Sequence, residues 1–216
     1  MKKTAIFAAL SVLLTGSVGV GASDRLEQAL EVTASQPPEE EEQADEPALV
    51  EQKEPRWVCK GCTETEQKVL DALQERGIRD KTALSVLMGN IKHESQFKPT
   101  ICEGGRLTGY RGCHRGGFGL IQWTTVGRYD GLGRTAAAYR LDPNSLDAQL
   151  KWLFAEREWK EVEERFKNEG QTFQYYMNAA YRWLGWGIYG SRGHYANQYV
   201  HYLHLEPVAK VSSDVN

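Results

Sequence analysis

The chain is short of long apolar runs, of histidine and of clustered basic charge, and each shortage removes a class of protein. Its longest apolar stretch, Ala5 to Val20, reaches 18 residues even when counted generously from Thr4 to Gly21, and glycine and alanine dilute it. That is the lower margin for crossing a bilayer, so no stable membrane insertion is expected. No cysteine follows the stretch, which argues against a lipoprotein anchor. Five histidines occur; His93 and His114 lack a third ligand partner, a pattern of surface or packing roles rather than of metal binding. The dense basic stripe of a nucleic-acid binder is missing as well. No segment repeats, so 216 residues provide one domain of about 150 residues with appendages.

What is present begins with a leader. Lys2 and Lys3, the apolar stretch and Val20-Gly21-Ala22 make residues 1–22 read as a signal peptide, with a signal-anchor at the inner membrane as the alternative. Residues 23–55 carry 11 acids against 2 bases, a net −9, and include Glu39 to Glu42 and four prolines. They cannot bury enough apolar surface to fold, and their like charges extend them, so they read as a disordered linker. Residues 56–216 hold 22 bases and 18 acids, so the overall −3 conceals a mildly basic domain that an anionic polymer would attract. The expected location is periplasmic or extracellular. In an exported chain Cys59, Cys62, Cys102 and Cys113 default to two disulfides. The favoured pairing is Cys102 with Cys113 and Cys59 with Cys62. The alternative ties Cys59 or Cys62 to the later loop. A zinc site is the rival that Cys59-x-x-Cys62 permits and the other pair does not repeat.

Helical periodicity dominates residues 56–206, and 207–216 read as a flexible tail. Thr63 or Thr65 can cap a helix to about Arg76, ended by Gly77; Asp80 can cap the next. Residues 99–119 hold seven glycines and predict a loop or short twisted hairpin. Helices follow over Leu132 to Tyr139, Leu146 to about Glu158 with Ser145 as cap, Trp159 to Lys167, Phe173 to Leu184 and Arg192 to Leu203. The fold class is mainly α (α+β).

One carboxyl group organises the rest. Ala83, Leu84, Leu87, Met88 and Ile91 recur at helical steps, so Glu94 lies in the last turn of a buried helix, and Pro99 forces the chain to turn just beyond it. Apolar neighbours penalise an ionised carboxylate, which suits Glu94 to hold a proton near neutral pH. Downstream, Gly116-Gly117-Phe118-Gly119-Leu120-Ile121-Gln122-Trp123-Thr124 combines close backbone approach, an amide and a flat indole, the contacts a sugar needs.

Gly89-Asn90-x-x-x-Glu94-Ser95 followed by Gly119-Leu-x-Gln122-Trp123-Thr124 resembles the lysozyme-like superfamily, in particular the phage-tail lysozyme family and lytic transglycosylases. Ser145-Leu-x-x-Gln149-Leu resembles the former too, and the likeness spans residues 63 to about 205. It implies a lysozyme-like helical domain whose Gly-rich loop or hairpin flanks a sugar groove. It also implies cleavage of the β-1,4 bond between N-acetylmuramic acid and N-acetylglucosamine in peptidoglycan, by a monomer needing no cofactor and no metal. Glu94 would be the general acid. Glu103, Asp130 and Asp142 are candidates for a second carboxyl, Glu103 first by loop position. In the transglycosylase route the substrate's own N-acetyl group replaces it. Ser95, Tyr110, Gly119, Gln122, Trp123 and Thr124 would bind substrate, with a helix-end hydrogen-bonding role as the alternative for Ser95 and core packing as the alternative for Trp123; Tyr181, Trp183, Trp186 and Tyr189 could line the groove or fill the core. A glycan-binding module that does not cut is the alternative function.

Overall fold

A computed structural model describes residues 55–114 and 116–207, all within one compact unit. The leader, most of the acidic linker and most of the tail lie outside the described residues. Among the described residues the fold is mainly helical, and no helix is long and apolar enough to cross a membrane.

The first strand, β1 (Arg56–Cys59), leads into α1 (Glu64–Glu75), where Thr63 and Glu66 form a reciprocal capping box. Gly77 (φ 88°) ends the turn, and Asp80 caps α2 (Lys81–Ser95) by accepting from Ala83 N–H at 2.9 Å. A two-residue hairpin, β2 (Ile101–Cys102) with β3 (Arg106–Leu107), precedes the short helix α3 (Gly109–Cys113). Disulfides join Cys102 to Cys113 and Cys59 to Cys62, the favoured pairing, so no thiolate remains for the rival zinc site.

Helix α4 (Val126–Ala138) starts six residues earlier than expected, with Thr125 as cap. Its glycines hide it from propensity, yet packing requires two of them. A Cβ at Gly131 would stand 2.8 Å from Trp152 Cε2, and one at Gly133 would stand 3.0 Å from Tyr110 Cζ. The single helix expected over 146–158 is α5 (Leu146–Ala155), an extended Glu156 (ψ 151°) and the short α6 (Arg157–Lys160). The charged helix after it also divides, at Val162, before α7 (Glu163–Lys167).

Helices α8 (Phe173–Leu184) and α9 (Arg192–Tyr202) follow, and the chain then pairs Leu203–Glu206 (β4) antiparallel with β1. This pairing of the domain's two ends is new relative to the sequence pattern, in which β1 is too short to signal itself. The core surrounds α2, whose Ala83, Leu84, Val86, Leu87, Met88 and Ile91 are fully buried. Its main partner is α9, and Gly89 lets the two backbones meet: a Cβ there would stand 2.5 Å from Ala196 Cα.

Candidate functional site

Just past Glu94 the chain reverses through two consecutive left-handed residues, Gln96 (φ 52°) and Phe97 (φ 58°). Non-glycine residues there cost on the order of 1 kcal/mol each, so the reversal needs support. Gln96 N–H donates to Lys92 O (2.9 Å), Ser95 Oγ accepts from Phe97 N–H (3.1 Å), and the buried Phe97 ring meets Tyr199 edge-on. Ser95 Oγ also donates to Ile91 O (3.2 Å) and is buried. The structure thus gives Ser95, expected among the substrate contacts, a turn-shaping position.

Glu94 is ion-paired with Arg192, the first residue of α9 and 98 positions away in sequence. Its side chain is 15% exposed and that of Arg192 5%. The guanidinium is itself anchored: Nη1 donates to Ile188 O (2.8 Å) and Tyr189 O (3.1 Å), and Trp186 lies 4.6 Å from it as a cation–π partner. Burial raises the proton affinity of Glu94; Arg192 in contact, and Arg128 more weakly, pull it back down, and burial prevails. His93 packs on Gly190, and burial, then Arg192, pushes its imidazole below the usual range.

The second motif lies against the hairpin. Gly119 (φ 73°) is buried under Gln149, whose Oε1 accepts from Leu120 N–H (2.9 Å), while its amide donates to Pro99 O (2.6 Å). Gln122 (φ 54°) donates to Gly119 O (3.1 Å) and lies over Gly117, whose N–H in turn is 3.5 Å from Glu103 Oε2. Glu103 and Gln122 therefore share a neighbourhood. Thr124 is exposed and donates to Gln122 O (3.3 Å). Half-buried Tyr110 stacks on Tyr129 (4.4 Å) and fronts concavities of about 510 and 370 Å³ on the α3–α4 side, neither lined by Glu94.

Trp123 corrects the expectation of a sugar-stacking indole: it is fully buried, and its Nε1–H donates to Glu156 Oε2 (3.0 Å). Glu156 also accepts from Trp183 Nε1 (2.9 Å) and from Arg128 Nε (2.9 Å) and Nη2 (2.7 Å). A carboxylate with no exposed surface is thereby met by four N–H donors. Trp183 is core likewise, whereas Tyr181, Ile188 and Tyr189 are exposed at 53%, 81% and 49%, with Trp186 between Tyr181 and Arg192. The exposed aromatics linked to Glu94 through Arg192 and Trp186 thus come from residues 181–189, whereas Trp123 lies in the core. Asp142 caps the α4–α5 turn by accepting from Asn144 N–H (2.9 Å), which marks it as structural.

The ion pair is not legible in the sequence, where Arg192 only opens the helix expected over Arg192 to Leu203. The only available signal was an arginine opening a helix just after an aromatic, glycine-rich turn. A family model described as phage tail lysozyme matches residues 64–203. No curated protein and no solved structure matches the chain.

Proposed function

The chain belongs to the phage tail lysozyme family, a lysozyme-like group acting on peptidoglycan, and from that premise we propose that it is exported and cleaves the β-1,4 bond between N-acetylmuramic acid and N-acetylglucosamine with Glu94 as general acid. The observation that carries this reading is the placement of Glu94: at the rigid end of a buried helix, mostly withdrawn from water, with its proton affinity raised, and linked through Arg192 and Trp186 to exposed aromatics. Glu94 would protonate the departing glycosidic oxygen, and the exposed rings of Tyr181 and Tyr189 offer flat apolar faces for saccharide.

Among the described residues the charges that act on Glu94 most are the guanidiniums of Arg192 and Arg128, with no carboxylate among them. This favours a single-acid route, in which Glu94 acts as acid and then as base and the substrate's N-acetyl group supports the oxocarbenium-like centre. Glu103, already facing Gly117 N–H, has less support as a second acid. Gln122 keeps its Oε1 as an acceptor for a sugar hydroxyl or amide.

Incubating the purified chain with peptidoglycan tests the reading: new reducing ends or anhydro-sugars are expected. Sedimentation with the wall and no soluble fragments would instead mean a binding module. Glu94→Gln should lower cleavage by about 10²-fold or more with the fold intact, since a general acid is worth that much. Near wild-type cleavage in this variant would reassign the acid.

A further inference from the structure

Glu94 has a guanidinium for its nearest partner, an unusual neighbour for a proton donor, and that guanidinium is held by a loop rather than by the helix that carries it. Between α8 and α9 the chain passes Gly185 (φ 66°) and Gly190 (φ 58°), and between those hinges lie Trp186, Ile188 and Tyr189. Two loop carbonyls, of Ile188 and Tyr189, accept from Arg192 Nη1, and Trp186 covers the guanidinium face. Arg192 Nε is buried and has no acceptor among the described residues, where the clamp consists of Nη1, Nη2 and the indole. Trp186 in turn meets the exposed Tyr181 edge-to-face at 5.2 Å. The loop is also seated on its other side, where Gly190 packs on the His93 ring and Tyr189 crosses Gly193.

We propose that Arg192 is a positioning residue that fixes the Glu94 carboxyl and sets how tightly it holds its proton, and that Trp186 acts through Arg192 by keeping the guanidinium in place. The inference rests on Glu94 being the proton donor. A saccharide ring that engages Tyr181 or Trp186 presses on the same clamp, so binding and arming of the acid share one set of contacts. Removing the guanidinium takes a positive charge away from the carboxyl, so Glu94 stays protonated to a higher pH but loses the contact that fixes its position. Among the described residues the charged groups that act on Glu94 are Arg192 from α9 and, more weakly, Arg128 from α4, while its chain neighbour His93 is itself acted on by Arg192. Lys92 turns the other way, to Glu66. Of these, only Arg192 touches Trp186.

The test is a carbon-13 NMR titration of the Glu94 carboxyl in the full chain, the signal assigned by its loss in Glu94→Gln. Arg192→Gln should raise the midpoint by about one pH unit or more. Trp186→Ala and the bulkier Trp186→Leu should raise it by a smaller step, Trp186→Phe should restore it, and Tyr202→Ala, an exposed tyrosine elsewhere, should leave it alone. The alkaline limb of the cleavage profile should move with the midpoint. An unchanged midpoint in Arg192→Gln, or in both the Ala and Leu variants of Trp186, overturns the proposal even if cleavage falls. Because the titration needs no turnover, it stands or falls separately from the proposed activity, which Glu94→Gln and the fragment assay decide.

Discussion

Replacing Gly89 by alanine should loosen the joint that brings Glu94 to Arg192. The added methyl would stand 2.5 Å from Ala196 Cα and 2.8 Å from its Cβ. Ordinary contact begins near 3.4 Å, so α2 and α9 must part by about 1 Å, and the obstruction is backbone that cannot rotate away. Overpacking of this kind costs about 3 kcal/mol, and alanine's better helix propensity returns about 1 kcal/mol, leaving about 2 kcal/mol. For a domain of this size that is a fall in Tm of about 4–8 °C. The displacement falls five residues before Glu94 and four after Arg192, so the carboxyl shifts relative to its partner, and cleavage should drop by about 10-fold to 100-fold. Thermal unfolding followed by near-ultraviolet dichroism and fragment release from peptidoglycan read the two effects. Gly127→Ala serves as the control: it sits in α4 with open space around it, and it should be neutral or stabilising. A Gly89→Ala protein that melts within a degree of wild type would refute the claim that the α2–α9 approach sets the site.

Three further predictions concern what supports that joint. Burial alone would raise the Glu66 carboxyl, but Lys92, Tyr199 and Thr63 hold it down to about 2 from 4.5. A folded value below the unfolded one gives stability that is complete above pH 4.5 and lost as pH falls toward about 2, on the order of 3 kcal/mol; urea midpoints should fall over that window in wild type and flatten in Glu66→Gln. Removing the Cys102–Cys113 bridge by a double alanine substitution frees a loop of 11 positions, which the chain-entropy account values at about 3 kcal/mol, read as a lower denaturation midpoint. Glu156→Ala strips the acceptor from two buried indoles and Arg128, and should cost about 3–5 kcal/mol, more than any exposed Glu→Ala exchange; equal midpoints would show that the hub carries no stability.

Local patterns made much of the fold legible. The caps Thr63, Asp80 and Ser145, the turn glycine Gly77 and the apolar rhythm of α2 all act within a few residues, where sequence and structure share one scale. Glu94 can be singled out in the sequence for the same reason, as the last-turn acid of that apolar helix. What escaped depends on distant partners. The β1–β4 pairing joins Arg56 to Glu206, and the Glu94–Arg192 pair spans 98 positions, so no window contains either. Helix α4 was hidden by Gly127, Gly131 and Gly133, since propensity counts the entropy of glycine but not the Trp152 ring that Gly131 admits. Trp123 shows the converse: an indole in a sugar-type motif reads as a binding face until its N–H is seen to meet a buried carboxylate.

That carboxylate also bears on the chemistry. Breaking the helix at Glu156 forgoes helical geometry at one residue, while turning its side chain inward gains four charge-assisted hydrogen bonds, each worth about 1.5–3 kcal/mol. The donors come from the Gln122-Trp123 segment, from α4 and from α8, so one acid ties three separate stretches together. Two of the four bonds neutralise Arg128, the second cation that acts on Glu94. With Arg128 answered by Glu156, its field at Glu94 is weakened and Arg192 remains the dominant positive charge there, consistent with Arg192 outranking Arg128 in its pull on the Glu94 proton. A cation there left unanswered would favour the ionised form of Glu94 further, so pairing Arg128 with Glu156 leaves Arg192, held by the Ile188 and Tyr189 carbonyls, as the charge on which the proposed acid's proton chiefly depends.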